Sequence, residues 1–429
     1  MGERILVAMV LAPGMTFLFF ALGWLLGWTP SERTVARITA AVYGSMAASS
    51  AWLWWLMAST GVAAVHAPPV VWFEVGEYRF DLWIFIDHLS LPLVALTTVL
   101  IGIVGAFSVR YLHRERGFFR FFALLHLFAF GAMVAFTAAS FDLLLAGWEL
   151  VGITSVLLIA FFDERREPVR NAIRVFATYR VADLGLLLAI FFFHTLAGTA
   201  DTSVLFQGDW PNQSTKLGGA AATLIGLLLL FAAAGKSAQV PFSGWLPRAM
   251  EGPTPSSAIF YGAISVHLGA YLLLRAQPVL GASPWAALAV VVVGVTTALL
   301  GTLAHRVSSD AKASLAFAAM AQLGIVFAEI GLGLPRLAVA HMLGHAVVRT
   351  LQFLRAPSML HDYHRVHAAA GGDLGRIGAH YEGLIPRAAH AWLYRVGLER
   401  GFYDSIVDRL LTGPVVRFAN WCARFEPGG

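Results

Sequence analysis

Long apolar runs, each of about 20 residues and separated by short polar connections, constrain this chain more than any other feature. They fall near 4–28, 35–59, 83–108, 118–138, 141–162, 171–195, 218–245, 254–275, 283–304, 311–332 and 334–355. A bilayer core of about 30 Å needs about 20 apolar residues in a helix to cross it. Lipid offers no partner to an unpaired backbone, so these runs are expected as helices and not as open strands. The chain is 58% hydrophobic and 13% charged, about half the charge of a soluble domain, so its outer solvent must be lipid. The expected fold class is an all-α polytopic membrane protein of about 11 transmembrane helices. The first run, Ile5 to Trp28, is too long for a signal-peptide core and reads as a first span. HAPPVVWFEVGEYRF (66–80) alternates and holds two prolines, which predicts a short hairpin or loop outside the bilayer. A single cysteine, Cys422, excludes a disulfide framework and a cysteine metal cluster. The basic residues lie between spans and form no single patch, which argues against nucleic-acid binding.

The Lys and Arg distribution predicts orientation. Thirteen such residues flank alternate connections on one side: Arg33, Arg37, Arg110, Arg114, Arg116, Arg120, Arg165, Arg166, Arg170, Arg174, Arg248, Arg306 and Lys312. The other side has five: Arg4, Arg79, Lys216, Arg275 and Arg336. The N-terminus is therefore expected outside, and the span ending at Arg355 is expected to end in the cytoplasm. Residues 356–400 are too polar to span. Residues 401–425 are amphipathic but carry Asp404, Asp408, Arg409 and Arg417, which suits a helix lying on the membrane or against a partner. The expected organisation is a bundle over 1–355 and a cytoplasmic segment over 356–429.

A charged side chain at the bilayer centre costs roughly 2.5–3.5 kcal/mol on insertion scales, so each one asks for a reason. Glu149 sits in FDLLLAGWELVGITSVLLIAFF between Gly147 and Gly152, small residues that admit a neighbouring helix. It reads as a proton-accepting carboxylate or as half of a structural ion pair. Arg180 and Asp183 are three apart on one helix face, a spacing that suits a local salt bridge. Lys236 is one of three lysines and follows eleven residues without a polar group, 224–234. Pro241 lacks an N–H, so the carbonyl of Ser237 loses its helical partner and the helix breaks. Broken membrane helices occur where they line water or a binding site. Snorkelling of Lys236 to an interface is the alternative, but Trp245 and Arg248 read as the interfacial end. His341 and His345, four apart, share a face that Arg349 extends by one turn, and His267 is a weaker member of the set. Proton relay fits them better than zinc, since no third ligand is evident on that span, and a pair of hydrogen-bonded packing histidines is the structural alternative. A chain of protonatable side chains across a helical bundle is the layout expected of a proton path. Neither a phosphate loop nor a nucleophile elbow is present, so no catalytic site is expected in this chain.

These segments also carry a family resemblance. LLAGWELVGITSVLLIAFF, RVADLGLLLAIF, AAAGKSAQVPFSGWLPRAMEGPTPSSA, SSDAKASLAFAAMAQLGIVFAEIGLG and HMLGHAVVRTLQFL resemble successive motifs of the antiporter-like, proton-conducting subunits of respiratory complex I and Mrp-type assemblies. The resemblance covers about residues 83–355. It implies Glu149 and Lys236 as the charged pair of one half-channel, with Lys236 on a broken helix. It implies His341 and His345 as a central polar axis toward a second half-channel. Tyr261 stands where the family often has a histidine, and Arg349 where it often has a lysine. No counterpart of the later broken helix or of the long lateral helix occurs in 356–429, so one half-channel is expected.

The shortened form, with SSAIFYGAISVHLGAYLLLR and LQFLRAPSMLHDYH, is most similar to the membrane subunit of DAB-type inorganic carbon accumulation complexes. That resemblance implies a large cytoplasmic zinc-containing partner like a β-carbonic anhydrase, driven by a cation gradient to hydrate CO2 to bicarbonate. Zinc would belong to the partner, with no cofactor in this chain, and the location implied is a bacterial inner membrane. Tyr403, Asp404, Asp408 and Arg409 then fall in the expected docking helix. The competing expectations are a respiratory pump subunit, a cation/proton antiporter module and a scaffold whose buried charges are structural.

Overall fold

The computed structural model describes residues 1–28, 30–76, 78–358 and 386–399, with single residues at 401, 409, 417 and 421. Helices α1 (Gly2–Leu25) and α2 (Glu32–Thr60) open the bundle. Ser31 caps α2 by accepting the Thr34 N–H at 3.2 Å, which satisfies one of the orphan donors of the first turn. Strands β1 (Ala64–His66), β2 (Val70–Val75), β3 (Tyr78–Leu82) and β4 (Phe85–Asp87) follow. They form two antiparallel pairs, with Ala64 opposite Asp87 and Val70 opposite Leu82. The alternating stretch is therefore a hairpin, as its pattern predicts. Helices α3 (Ser90–Tyr111), α4 (Phe118–Thr137), α5 (Phe141–Ile159) and α6 (Arg166–Ala197) come next. After α7 (Thr202–Leu205) and the short pair β5 (Phe206–Gln207) and β6 (Ser214–Thr215), α8 runs from Gly219 to Lys236.

Here the chain breaks. Two 3-10 turns (Ser243–Trp245 and Pro247–Glu251), α9 (Thr254–Ser256), a π turn (Ser257–Tyr261) and α10 (His267–Arg275) take the place of long helix. Then α11 (Gln277–Gly281) leads into three long helices: α12 (Pro284–Val307), α13 (Ala311–Gly331) and α14 (Pro335–Arg355). A last helix, α15 (Arg387–Leu398), packs along α12.

Among the described residues, nine helices are long and apolar enough to cross a membrane: α1, α3, α4, α5, α6, α8, α12, α13 and α14. The expected spans differ from these in four places. Helix α2 is long enough but carries Glu32, Arg33, Arg37 and several serines, which dilute its apolar character. The expected span over 83–108 begins as helix only at Ser90. Asp87 accepts the N–H groups of Leu89 (3.2 Å) and Ser90 (2.9 Å) and so starts the helix there. The segment 218–245 is helical only to Lys236, and 254–275 is in pieces. Residues 356–400, expected as a polar connection, contain α15, whose Gly397 lies against the Leu303 carbonyl of α12.

Small residues set the close approaches, as in other lipid-embedded bundles. Gly294 of α12 faces Gly324 of α13, and a Cβ on either would sit within 2.5 Å of the other's carbonyl oxygen. A Cβ on Gly235 would come within 2.0 Å of the Ala182 Cβ, so α8 and α6 touch one residue before Lys236. Gly235→Val should therefore push α6 and α8 apart and cost about 1–3 kcal/mol, the usual toll of overpacking. Thermal unfolding in detergent measures it, and an unchanged Tm would refute this close contact.

Outside the spans, the Asp87 carboxylate grips Arg275, at 2.6 Å to Nη1 and 3.0 Å to Nη2, and Arg275 is only 1% exposed. Tyr271 Oη accepts from the same guanidinium. The sequence expectation of Arg275 as a flanking charge at the membrane surface is thus corrected: it closes a buried bidentate pair. Burial alone would push the Asp87 carboxyl up. The charge and hydrogen bonds of Arg275 and the donors of Ser90 overcome it and hold the carboxyl below its usual value.

Candidate functional site

Three helices bring the first group of charges together. Arg180 of α6 lies between two carboxylates: Nη2 pairs with Glu149 Oε2 of α5 and donates to Asp183 Oδ2 at 2.9 Å. The indole of Trp148 donates to Asp183 Oδ1 at 2.6 Å. The backbone carbonyl of the same tryptophan accepts from Lys236 Nζ at 2.8 Å. Lys236 is 1% exposed, and its ammonium also sits 4.8 Å and 4.9 Å from the ring centroids of Trp148 and Tyr179. Both rings offer their negative faces to a cation. Among the described residues no carboxylate lies within 4 Å of Lys236. The Trp148 carbonyl can accept from Lys236 as an ammonium or as a neutral amine, while the two ring faces favour the ammonium. Gly152 is what makes room: a Cβ there would sit 3.1 Å from Lys236 Nζ.

The α8 break is built from polar contacts. Gln239 Nε2 donates to the Ser237 carbonyl at 2.9 Å and so supplies the partner that Pro241 cannot. The Val240 N–H finds Thr297 Oγ1 of α12 at 3.0 Å. Trp245 is 3% exposed, and its indole donates to the Gly235 carbonyl at 2.8 Å. The expectation of Trp245 as an interfacial anchor is therefore wrong. The broken chain folds back, so a residue nine positions beyond Lys236 returns to its side. Arg248 donates to the Gly244 carbonyl.

The second group lies on α10, α13 and α14. His267 Nδ1 contacts the Ala263 carbonyl. A carbonyl only accepts, so Nδ1 carries the proton and Nε2 is the acceptor. With the ring neutral, His345 Nδ1, 3.1 Å from that Nε2, then donates, which leaves His345 Nε2 as an acceptor. That atom is buried and has no protein partner. One turn away, His341 reaches Glu329 Oε1 at 3.0 Å through Nδ1 and Gln322 Oε1 at 3.0 Å through Nε2. Arg349, a turn further along α14, donates to Gln352 at 2.8 Å. Among the described residues no group of three or more His, Cys, Asp or Glu is placed to hold a metal ion.

The two groups meet where both helices break. Ser237, next to Lys236, donates to the carbonyl of Val266 at 2.6 Å, and Val266 precedes His267. On the other side of the break, Tyr261 Oη lies 3.0 Å from Ser155 Oγ of α5. Trp245 makes edge contacts with both Tyr179 and Tyr261.

The sequence reading missed Gln322 and Glu329. They are seven apart on α13, two turns along one face, in a segment quoted for its motif. Glu329 carries the same signal that marked Glu149, an acidic residue inside an apolar run. Of the expected docking residues, Arg409 is exposed, and Tyr403, Asp404 and Asp408 lie outside the described residues.

The comparisons agree with this architecture. Residues 138–372, more than half of the chain, match the family described as NADH:quinone oxidoreductase/Mrp antiporter, TM. Residues 72–122 match NADH-ubiquinone oxidoreductase (complex I), chain 5 N-terminus. The chain is 37% identical over 290 residues to NADH-ubiquinone oxidoreductase chain 5 of Schizophyllum commune, covering 67% of this chain and 41% of that protein. It is 34% identical over 363 residues to NADH-quinone oxidoreductase subunit L of Mycobacterium tuberculosis, covering 82% and 56%. The Mrp complex from Dietzia sp. DQ12-45-1b contains a similar fold, with a TM-score of 0.70 at 28% identity, over 81% of this chain and 37% of that one. The chain thus spans about half the length of the curated relatives it matches. Together with the nine membrane-length helices, the match places this multi-pass α-helical protein in the NADH:quinone oxidoreductase/Mrp antiporter transmembrane family.

Proposed function

We propose that this chain is a proton-conducting membrane subunit whose path joins Glu149, Arg180, Asp183 and Lys236 to His267, His345 and His341. The observation that carries the reading is the buried meeting of two protonatable groups at paired helix breaks, where Ser237 touches Val266. Buried charges in membrane helices pair with one another and mark ion pathways. Arg180, bridging two carboxylates, holds Glu149 beside the tryptophan that binds Lys236. A change in the charge of Glu149 is then felt at Lys236 through a short, poorly screened separation. Arg349 and Pro241 support this path, the first by extending the histidine face and the second by breaking α8.

The gradient so conducted energises a partner. The resemblance of SSAIFYGAISVHLGAYLLLR and LQFLRAPSMLHDYH to DAB-type membrane subunits supports inorganic carbon accumulation with a zinc-containing, carbonic-anhydrase-like partner on the cytoplasmic side. The Lys and Arg asymmetry supports an N-terminus outside and residues 356–429 as the cytoplasmic docking segment. Similarity to an Mrp complex favours a second reading, a cation/proton antiporter module.

Cells expressing the chain with its partner should accumulate labelled inorganic carbon, and a protonophore should abolish that accumulation. Accumulation that survives the protonophore but fails without sodium overturns proton coupling in favour of the second reading. Accumulation indifferent to both leaves the buried charges as structural pairs.

A further inference from the structure

Helix depth orders the second group of side chains. His345 is the eleventh residue of α14 and His341 the seventh, so they lie about 15 Å and about 9 Å from the helix start at 1.5 Å per residue. Glu329 is two residues from the end of α13, about 3 Å from the turn into α14. His345, His341 and Glu329 therefore step from mid-bundle to the mouth at the α13–α14 turn. The Glu329 side chain remains largely enclosed, at 14% exposure, and its Oε2 is buried without a protein partner.

Chemistry orders them as well. The side-chain oxygen of Gln322 accepts, so His341 Nε2 keeps its proton toward Gln322. That leaves one proton to be shared between His341 Nδ1 and Glu329 Oε1, 3.0 Å apart. In one state Glu329 is the neutral acid and donates to Nδ1. In the other the proton has crossed, leaving a carboxylate beside an imidazolium. Neither state disturbs the Gln322 contact. Glu329 Oε2, buried without a protein partner, is the atom left for a proton to enter or leave through water admitted at the α13–α14 turn. Passing it to His345, one turn deeper on α14, requires the His341 ring to leave Gln322. Gln322 is a positioning residue that selects the His341 tautomer.

We infer that Glu329, set by Gln322 and His341, is the terminal proton-exchange group of this path at the α13–α14 end of the bundle. The inference rests on the proton-path reading and adds a carboxylate gate to a path whose buried lysine is Lys236. The charged and titratable groups facing it are His341 on α14 and, one turn deeper, His345, which contacts His267 of α10.

The test is proton flux through the full chain, with any co-purifying partner, in liposomes carrying an internal pH dye and a valinomycin-set potential. Glu329→Gln should cut flux about tenfold or more, because a positioned proton-transfer group is lost. Glu329→Asp should restore it to within about threefold, because the acid is kept. Gln322→Leu should change the pH profile of the flux without abolishing it. Flux near wild type in Glu329→Gln, while Lys236→Ala abolishes it, overturns this inference and leaves the path reading intact. No flux in the wild-type chain overturns the path reading itself. Should Glu329→Gln fail to insert, Glu329→Asp decides: a loss as complete as that of Lys236→Ala overturns the inference.

Discussion

Lys236→Ala and Glu149→Gln should each abolish transport, by about a hundredfold or more as expected when a positioned proton donor or acceptor is removed, while the chain still inserts and assembles. The expectation of intact assembly comes from the geometry. In Glu149→Gln, Arg180 keeps its bond to Asp183 at 2.9 Å, so no buried charge is stranded. In Lys236→Ala, Trp148 keeps its indole bond to Asp183 at 2.6 Å, and only a carbonyl and two ring faces lose a partner. Flux in liposomes measures the first effect, and size-exclusion of the solubilised protein measures the second. Transport retained in both variants defeats the proton path. Loss of assembly in both would make the charges structural, the scaffold reading.

Asp87→Asn should destabilise the bundle by about 3–5 kcal/mol, because it leaves the guanidinium of Arg275 buried without its countercharge. Arg275 is 1% exposed and has Tyr271 as its remaining oxygen partner there. The pH dependence has a definite sign. The folded carboxyl of Asp87 is held below its usual value, so its stabilisation is complete above the ordinary aspartate range. It is lost as pH falls through the lowered folded value. Thermal unfolding in detergent should show an acid-dependent fall in Tm in the wild type that is blunted in Asp87→Asn. A variant within about 1 kcal/mol of wild type would class the pair with weak surface ion pairs and refute the prediction.

Most of the span pattern was legible because lipid imposes one rule on every crossing segment: about 20 apolar residues with an internally paired backbone. The rule fails where backbone pairing comes from outside the segment. The run from 235 onward is apolar enough to look like continuous helix, but the side chains of Trp245, Gln239 and Thr297 take the Gly235 carbonyl, the Ser237 carbonyl and the Val240 N–H. Pro241 announced that break, whereas the π turn at Ser257–Tyr261 had no comparable marker. The same limit applies to Arg275. Its Lys/Arg count suggested a surface flank, and only Asp87, 188 residues earlier, makes it a buried residue.

The site divides in a similar way. Glu149, Lys236 and His345 announce themselves because an ionisable group in an apolar run costs several kcal/mol and needs a reason. Spacing alone also yields pairs within a helix, such as Arg180 with Asp183 at i and i+3. What spacing cannot yield is a partner on another helix. Arg180 standing between Glu149 and Asp183, the Trp148 carbonyl on Lys236, and Glu329 on His341 depend on how α5, α6, α8, α13 and α14 are rotated against one another. Those rotations are set by glycine contacts such as Gly235 on Ala182 and Gly294 on Gly324, whose energy lies in close packing between helices and leaves no periodic trace in either strand of sequence. The sequence by itself determined a lipid-embedded helical bundle with costly charges at known depths. Only the tertiary structure decided which charge answers which, because that depends on distances of 3 Å between segments that the chain keeps far apart.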